Sequence, residues 1–165
     1  MSVKGWHFCS SDMRLGYGDG REIRDGEWIE VDAKPVLCEA GLHASRLILD
    51  ALQYSPPRPC LCRVEVDGDV VHGDDKMVGR RRRVLWHLDA DTTDRVLRSF
   101  ACRTALEILP PDATPVIREY LTTVDESKRE AAYSAADRAA YRAAERKRQN
   151  RRLAAMAAAA RRAGR

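Results

Sequence analysis

The sequence predicts an α+β fold: a compact β-rich N-terminal domain with one main helix, followed by an all-helical C-terminal region. Two patterns indicate this division. Residues 60–66 place apolar side chains at every second position, as a half-buried strand does. Between residues 91 and 109 apolar side chains recur instead at steps of three and four, as on one face of an amphipathic helix. The expected parts are a β-rich domain at 1–88, a short helical pair at 89–124 and a basic alanine-rich helix at 125–165.

Two short strands are predicted near the start of the chain. Residues 3–8 form an apolar and aromatic run, which favours a strand. Asp25-Gly26 is a strong turn signal, and residues 27–31 alternate after it. We therefore expect a second, amphipathic strand at residues 27–31.

The clearest strand covers residues 60–66, and the turn signal Asp67-Gly68 follows it directly. This order predicts a hairpin whose return strand lies at residues 69–72, with a polar turn at residues 73–77. The apolar faces of the predicted elements should meet in one core. Its expected members are Leu42, Leu52, Val64, Val66 and Leu85.

The densest group of distinctive side chains lies at residues 37–45, which hold a Cys, a Glu, a His and a Ser. An apolar run with helical spacing comes next, and a proline-rich break follows at residues 55–59. Ser45 is a residue type that commonly caps the start of a helix. We therefore expect a loop, then a helix over about residues 46–54 with Ser45 as its N-cap.

Prolines delimit the helices predicted in the second half. Pro110-Pro111 should end the first helix, and Pro115 can begin a second that runs to Leu121. Thr123 or Asp125 can then cap a third. Alanine dominates beyond this point, and because alanine is the best helix former the segment should be helical.

Composition excludes several classes of protein. With 165 residues, 44% hydrophobic and 33% charged, the chain is globular rather than disordered overall. It contains no apolar run of eighteen residues, and its start lacks an apolar signal core, so we expect a cytoplasmic protein without membrane contact. Five cysteines at no repeating spacing favour free thiols over a disulfide framework.

A set of short motifs in the N-terminal half resembles an uncharacterised family found in bacteria and their phages. The motifs are Lys4-Gly5-Trp6, the stretch 37–44, Asp50-Ala51-Leu52-Gln53-Tyr54, Val64-Glu65-Val66-Asp67-Gly68 and Gly73-Asp74-Asp75-Lys76. The resemblance covers about residues 3–88, and the alanine-rich tail is similar to the longer arrays of its relatives. It implies a domain boundary and a connection to phages or mobile elements, but no mechanism.

These observations lead to the expectation of a non-enzymatic interaction protein of phage or mobile-element origin. It would bind a host protein or nucleoprotein complex, perform a role such as inhibition of a host defence system, and need no cofactor. Four consecutive cations, Arg80, Arg81, Arg82 and Arg83, are candidates for the binding surface. They cannot all share one face of a strand or loop, so at least two should be exposed, where they contact a partner or pair with nearby acids.

An enzyme is the alternative. The order of strand, loop, helix and strand loosely resembles ADP-ribosyltransferases, in which a His, a Tyr and a Glu hold and use NAD. That resemblance implies His43, Tyr54 and Glu65 as the catalytic candidates. No early-strand motif matches that family, and Glu65 lies in the middle of a predicted strand. The competing interpretation of His43 is structural, with its ring bonded to the backbone of the loop.

A structural zinc site is a third hypothesis. The possible ligands are His7, Cys9, Cys38, His43, Cys60 and Cys62. The two short pairs have one intervening residue each, whereas structural zinc sites usually have two to four. On a strand such pairs point to one face, which is also what small core residues do. We therefore predict no metal site.

The basic surplus of the chain lies in its tail. Residues 125–165 hold 12 Lys/Arg against 5 Asp/Glu, and on a helix Arg148, Arg151 and Arg152 would share one face. We predict that the tail binds nucleic acid without sequence preference. Affinity for random duplex DNA, measured by fluorescence anisotropy, should fall steeply between about 50 and about 200 mM salt because phosphate contacts release counterions.

A chain truncated after Glu145 is the matched control and should lose this binding. If the intact chain does not bind at the lower salt concentration, nucleic acid is excluded as a partner of the tail. The alanine faces of the helix would then be the docking surface for a protein.

Overall fold

A computed structural model describes residues 2–141. The chain divides into two compact units, Met1–Leu97 and Arg98–Arg165, and the division falls inside the longest helix. Antiparallel sheets fill the first unit and helices the second, so the expected α+β class is confirmed at this level. The predicted binding residues Arg148, Arg151 and Arg152 lie outside the described residues.

The elements follow one another in this order: β1 (Val3–Cys9), β2 (Trp28–Glu30), β3 (Leu42–Ala44), α1 (Ile48–Leu52), β4 (Cys60–Asp67), β5 (Val71–His72), β6 (Met77–Gly79), β7 (Arg81–Leu88), α2 (Ala90–Glu107) and α3 (Pro115–Thr123). A 3₁₀ turn at Glu126–Lys128 comes next. The chain is helical again at residues 129–141.

Two antiparallel sheets build the first unit. Four strands form the larger sheet in the order β1-β4-β7-β2, and three form the smaller in the order β3-β6-β5. The register along β4 shifts between Arg63 and Val64, where Arg63 pairs with Trp86 but Val64 pairs with Val84. This β-bulge leaves Leu85 of β7 without a partner on β4.

The main core lies on the face of the larger sheet that meets the smaller one. Val64, Val66 and Met77 are fully buried there. A second cluster covers one end of the opposite face, where Phe8 and Leu61 pack against residues of α1. Trp6 lies on the same face and packs against this second cluster.

The two sheets come closest at Gly5. A methyl group there would lie 2.7 Å from the carbonyl oxygen of Ser45 and would also collide with Met77. Backbone hydrogen bonds hold the contact, from Trp6 N to Ser45 O at 2.7 Å and from Ser45 N to Trp6 O at 2.9 Å. Ser45 is therefore not the N-cap of a helix. Helix α1 is shorter than predicted, and its N-cap residue Leu47 makes no side-chain cap.

The hairpin predicted after Asp67-Gly68 is also wrong. Strand β5 pairs with β6 of the smaller sheet and not with β4, because β4 already has β1 on one side and β7 on the other. Met77, predicted in a polar turn, belongs to β6 and has no exposed surface.

Val64 and Val66 lie together in the main core, as predicted, and Leu42 is buried as well. Leu52 packs in the second cluster with Phe8. Leu85 is only partly buried, because it lies at the bulge and has no partner on β4.

The second unit has a small core of its own. Cys102 of α2, Tyr120 of α3 and Ala132 pack together. Pro115 begins α3, as predicted, and the Asp125 carboxylate accepts a hydrogen bond from Ser127 N at 3.0 Å. No helix in residues 2–141 is long and apolar enough to cross a membrane.

The contact at Gly5 gives a prediction. Gly5→Ala should lower the free energy of unfolding by about 1–3 kcal/mol, the usual effect of overpacking a dense core. Denaturant unfolding followed by circular dichroism measures the change. Gly16→Ala is the matched control, because a methyl group at Gly16 would meet no atom within 4 Å. Equal effects of the two substitutions would contradict a tight contact at Gly5.

Candidate binding face

The outer face of the larger sheet, opposite the main core, carries the most distinctive group of side chains in the first unit. They alternate with the core residues of the same strands and align across the sheet by its register. We call this group the tryptophan face. Its members are Trp6, Trp28, Arg63, Arg81, Arg83 and Trp86. The chain has three tryptophans, and all of them belong to this face.

One row of the face crosses β1, β4 and β7. The register places Trp6 opposite Arg63 and Arg63 opposite Trp86. The Arg63 guanidinium lies 4.6 Å from the centre of the Trp6 ring, a cation–π contact. The Trp6 and Trp86 rings meet edge to face, with centres 5.8 Å apart and planes at 82°. Arg63 also donates a hydrogen bond to Gly5 O at 3.3 Å, which orients its side chain.

A second group forms around Trp28 on β2. The guanidinium groups of Arg81 and Arg83 lie 5.0 and 4.8 Å from its ring centre. Each arginine also pairs with an acid on β4, Arg81 with Asp67 and Arg83 with Glu65, both at 2.6 Å. These cations are therefore held between an indole and a carboxylate.

The carboxylates respond to these contacts. Hydrogen bonds from Ser2 and then from Arg83 lower the pKa of Glu65. The hydrogen bond from Arg81 lowers the pKa of Asp67. Both acids therefore remain charged at neutral pH, and they fix the arginine heads on the sheet.

The tryptophan face is accessible although its cations are ordered. Trp28 is 37% exposed and Trp86 is 43% exposed. Arg63 makes no ion pair in residues 2–141, so its charge is available to a partner. The arrangement presents rigid aromatic surface beside oriented guanidinium groups.

The four predicted arginines separate by position. Arg81 and Arg83 lie on the tryptophan face, as just described. Arg80 pairs with Asp69 at 3.0 Å. Arg82 points to the opposite side of the sheet and is only 5% exposed. A residue so deeply buried cannot take part in surface binding, so the prediction of Arg82 as a binding residue is wrong.

The His43 ring is bound to backbone. Its Nε2 accepts a hydrogen bond from Cys38 N at 3.1 Å, and the ring also bonds to the backbone of Gly41. Cys38 has a φ of 66°, a left-handed conformation that is uncommon for a residue other than glycine. The ring thus supports a strained turn. Desolvation, followed by the charges of Lys76 and Arg82, lowers the pKa of His43, so the ring is neutral.

The three residues implied by the ADP-ribosyltransferase resemblance do not converge. Tyr54 donates a hydrogen bond to Asp75, and Lys76 lies 4.3 Å from the centre of its ring. Lys76 also influences His43, so these two candidates lie in one region. Glu65 belongs to the larger sheet, on the face opposite the one that packs against β3 and His43.

Within residues 2–141 no group of three or more His, Cys, Asp or Glu side chains could hold a metal ion. Cys38 is exposed, whereas Cys9, Cys60 and Cys62 are buried.

Trp6, Trp28, Arg63 and Trp86 were missed by sequence reasoning. A partial signal was present, because Trp6 lies two residues from Lys4 and Trp86 three residues from Arg83, in or beside predicted strands. What the sequence did not provide is the strand order that brings four separate segments to one face.

Comparison with known proteins gives one match. Residues 3–95 match a family described as "Domain of unknown function (DUF7666)", which covers more than half of the chain. No curated protein and no solved structure matches.

The geometry of His43 yields a stability prediction. His43→Leu removes the acceptor for Cys38 N and should lower the free energy of unfolding by about 0.5–1.5 kcal/mol, the usual net value of one hydrogen bond. His43→Gln restores an acceptor and should lose less. Thermal unfolding followed by circular dichroism compares the variants. Unchanged melting temperatures in both would contradict the structural role.

The sign of the pH effect follows from the lowered pKa of His43. A histidine that binds its proton more weakly in the folded state stabilises the fold above its ordinary pKa, and this contribution is lost as the pH falls. From about pH 7 to about pH 5, the intact protein should therefore lose more stability than His43→Gln. Equal losses would show that His43 does not titrate differently on folding.

Proposed function

The chain belongs to the DUF7666 family, and we propose that it is a non-enzymatic interaction domain that recognises a protein through the tryptophan face. The observation that carries this proposal is the placement of every tryptophan of the chain on one accessible face, together with three arginines. Tryptophan and arginine are the residues most enriched among those that dominate binding energy at protein interfaces.

The order within the face supports the same conclusion. Trp28 lies between Arg81 and Arg83, and Arg63 lies on Trp6, so these side chains already occupy defined positions. A partner would therefore bind them with little further loss of side-chain freedom, and preorganisation of this kind increases affinity. Arg63 at the centre supplies a charge that favours an acidic group on the partner.

Charge makes a protein a better partner for this face than a nucleic acid. Residues 1–97 hold 14 Lys/Arg and 17 Asp/Glu, a net charge of −3. Arg81 and Arg83 are already paired with acids. A polyanion would meet net repulsion from this unit, and the contribution of phosphate contacts would be small.

The remaining parts of the proposal rest on the resemblance of the motifs. We propose that the partner is a host protein or nucleoprotein complex, that the protein acts in the cytoplasm, and that binding inhibits a host defence system. A phage or mobile-element origin belongs to the same proposal. The basic tail would add a second, sequence-independent contact.

A photo-crosslinking experiment tests the face directly. Benzoylphenylalanine replaces Trp86 in one chain and Tyr17 in another, and both chains are expressed in bacteria and irradiated. Tyr17 is fully exposed and belongs to a loop outside the sheet, so it is the matched control. We expect a discrete adduct from position 86 that is absent from position 17. Equal adduct patterns would contradict the proposal.

Affinity for the purified adduct partner then gives the size of the effect. Trp86→Ala should weaken binding by about thirtyfold, which corresponds to the loss of about 2 kcal/mol expected at the centre of an interface. Tyr17→Ala should bind as the intact chain does. Circular dichroism confirms that both variants are folded, so an unchanged affinity of Trp86→Ala would remove Trp86 from the interface.

A further inference from the structure

Two thiols are in contact inside the core, on the side of the sheet away from the tryptophan face. The sulfur atoms of Cys9 and Cys62 are 3.3 Å apart, and the Cys62 thiol donates to the Cys9 sulfur. Cys9 is the last residue of β1, and its register partner on β4 is Cys60 rather than Cys62. The contact is therefore a diagonal one between neighbouring strands.

A buried cation faces this pair. Arg82 donates a hydrogen bond to the backbone carbonyl of His43 and makes no ion pair with a carboxylate in the part of the chain that the structure describes. A buried charge without an opposite charge is strongly unfavourable. Burial lowers the pKa of Arg82, and the charges of Cys9 and Cys62 oppose that shift. A thiolate at one of these cysteines would supply the missing negative charge.

Cys9 is favoured as the thiol that carries this negative charge. The hydrogen bond from Cys62 lowers the pKa of Cys9 most, and a hydrogen bond with His7 and the charge of Arg82 lower it further. The same contact with Cys9 raises the pKa of Cys62. The directions of the two pKa shifts favour Cys9 as the anion and Cys62 as the proton donor beside it.

We propose that Cys9 and Cys62 form a redox-modification site whose oxidant is a peroxide. The Cys9 thiolate attacks one peroxide oxygen, the O–O bond breaks, and hydroxide leaves, so that Cys9 becomes a sulfenic acid. The Cys62 sulfur then attacks the Cys9 sulfur and forms the S–S bond as water leaves. The two sulfurs together lose two electrons, which reduce one hydrogen peroxide to water.

The geometry suits the second step. The sulfur atoms need to approach from 3.3 Å to about 2.05 Å, the length of a disulfide bond. Cys9 is 3% exposed at the end of its strand, and exposed residues of a turn follow it. A small oxidant such as hydrogen peroxide is therefore favoured over a bulky disulfide.

The test treats the folded protein with hydrogen peroxide, blocks the remaining thiols in denaturant, and digests it with trypsin. Cys9 falls on the peptide 5–14. Cys60 and Cys62 share the peptide 47–63, because trypsin does not cut before Pro59. The Cys60→Ser variant removes this ambiguity. We expect a cross-link between the two peptides in the intact chain and in Cys60→Ser, detected by mass spectrometry and lost on reduction.

Two further variants assign the roles. Cys62→Ser should stop at a sulfenic acid on Cys9, trapped by dimedone, and Cys9→Ser should leave Cys62 as a free thiol. Circular dichroism establishes that each variant is folded. Exposed Cys38 serves as an internal control for oxidation governed by exposure alone. Oxidation of Cys38 with Cys9 and Cys62 still reduced would overturn the proposal, as would a cross-link lost in Cys60→Ser.

Discussion

The close approach of the two sheets at Gly5 is the constraint on which the first unit depends. Only a hydrogen atom fits between β1 and the Ser45 carbonyl there, and the Trp6–Ser45 hydrogen bonds lock the contact. Because side chains alternate along a strand, a glycine that faces inward places Trp6 outward. The contact that closes the core therefore also positions Trp6, the first tryptophan of the tryptophan face.

The β-bulge extends this coupling to β7. Strict alternation from Arg81 and Arg83 would put Leu85 on the outer face. The bulge skips Leu85, so Trp86 lies opposite Arg63 and completes the row that begins with Trp6. An irregularity of one residue thus decides whether the outer face presents a leucine or a third tryptophan.

Local patterns predicted much of the fold, while long-range pairing decided what they missed. Strands β1 and β4 and helix α3 occur close to their predicted bounds, because apolar alternation and Pro115 are local signals. The hairpin at Asp67-Gly68 failed, because a turn signal does not reveal that both edges of β4 are already occupied. The tryptophan face was not predicted for the same reason, since its six residues come from four strands whose order the sequence does not show.

The densest motif of the sequence makes structural contacts and does not contribute to the tryptophan face. The His43 ring accepts a hydrogen bond from Cys38 N and supports the turn there, and the His43 carbonyl accepts a hydrogen bond from Arg82. This stretch therefore joins the two sheets. The burial of Arg82 could have been predicted from strand alternation, because Arg82 lies two residues from the buried Val84 and therefore on the same face, whereas Arg81 and Arg83 lie on the other. A run of identical residues on a strand thus divides between two faces: Arg81 and Arg83 lie on the tryptophan face, and Arg82 is buried on the core side.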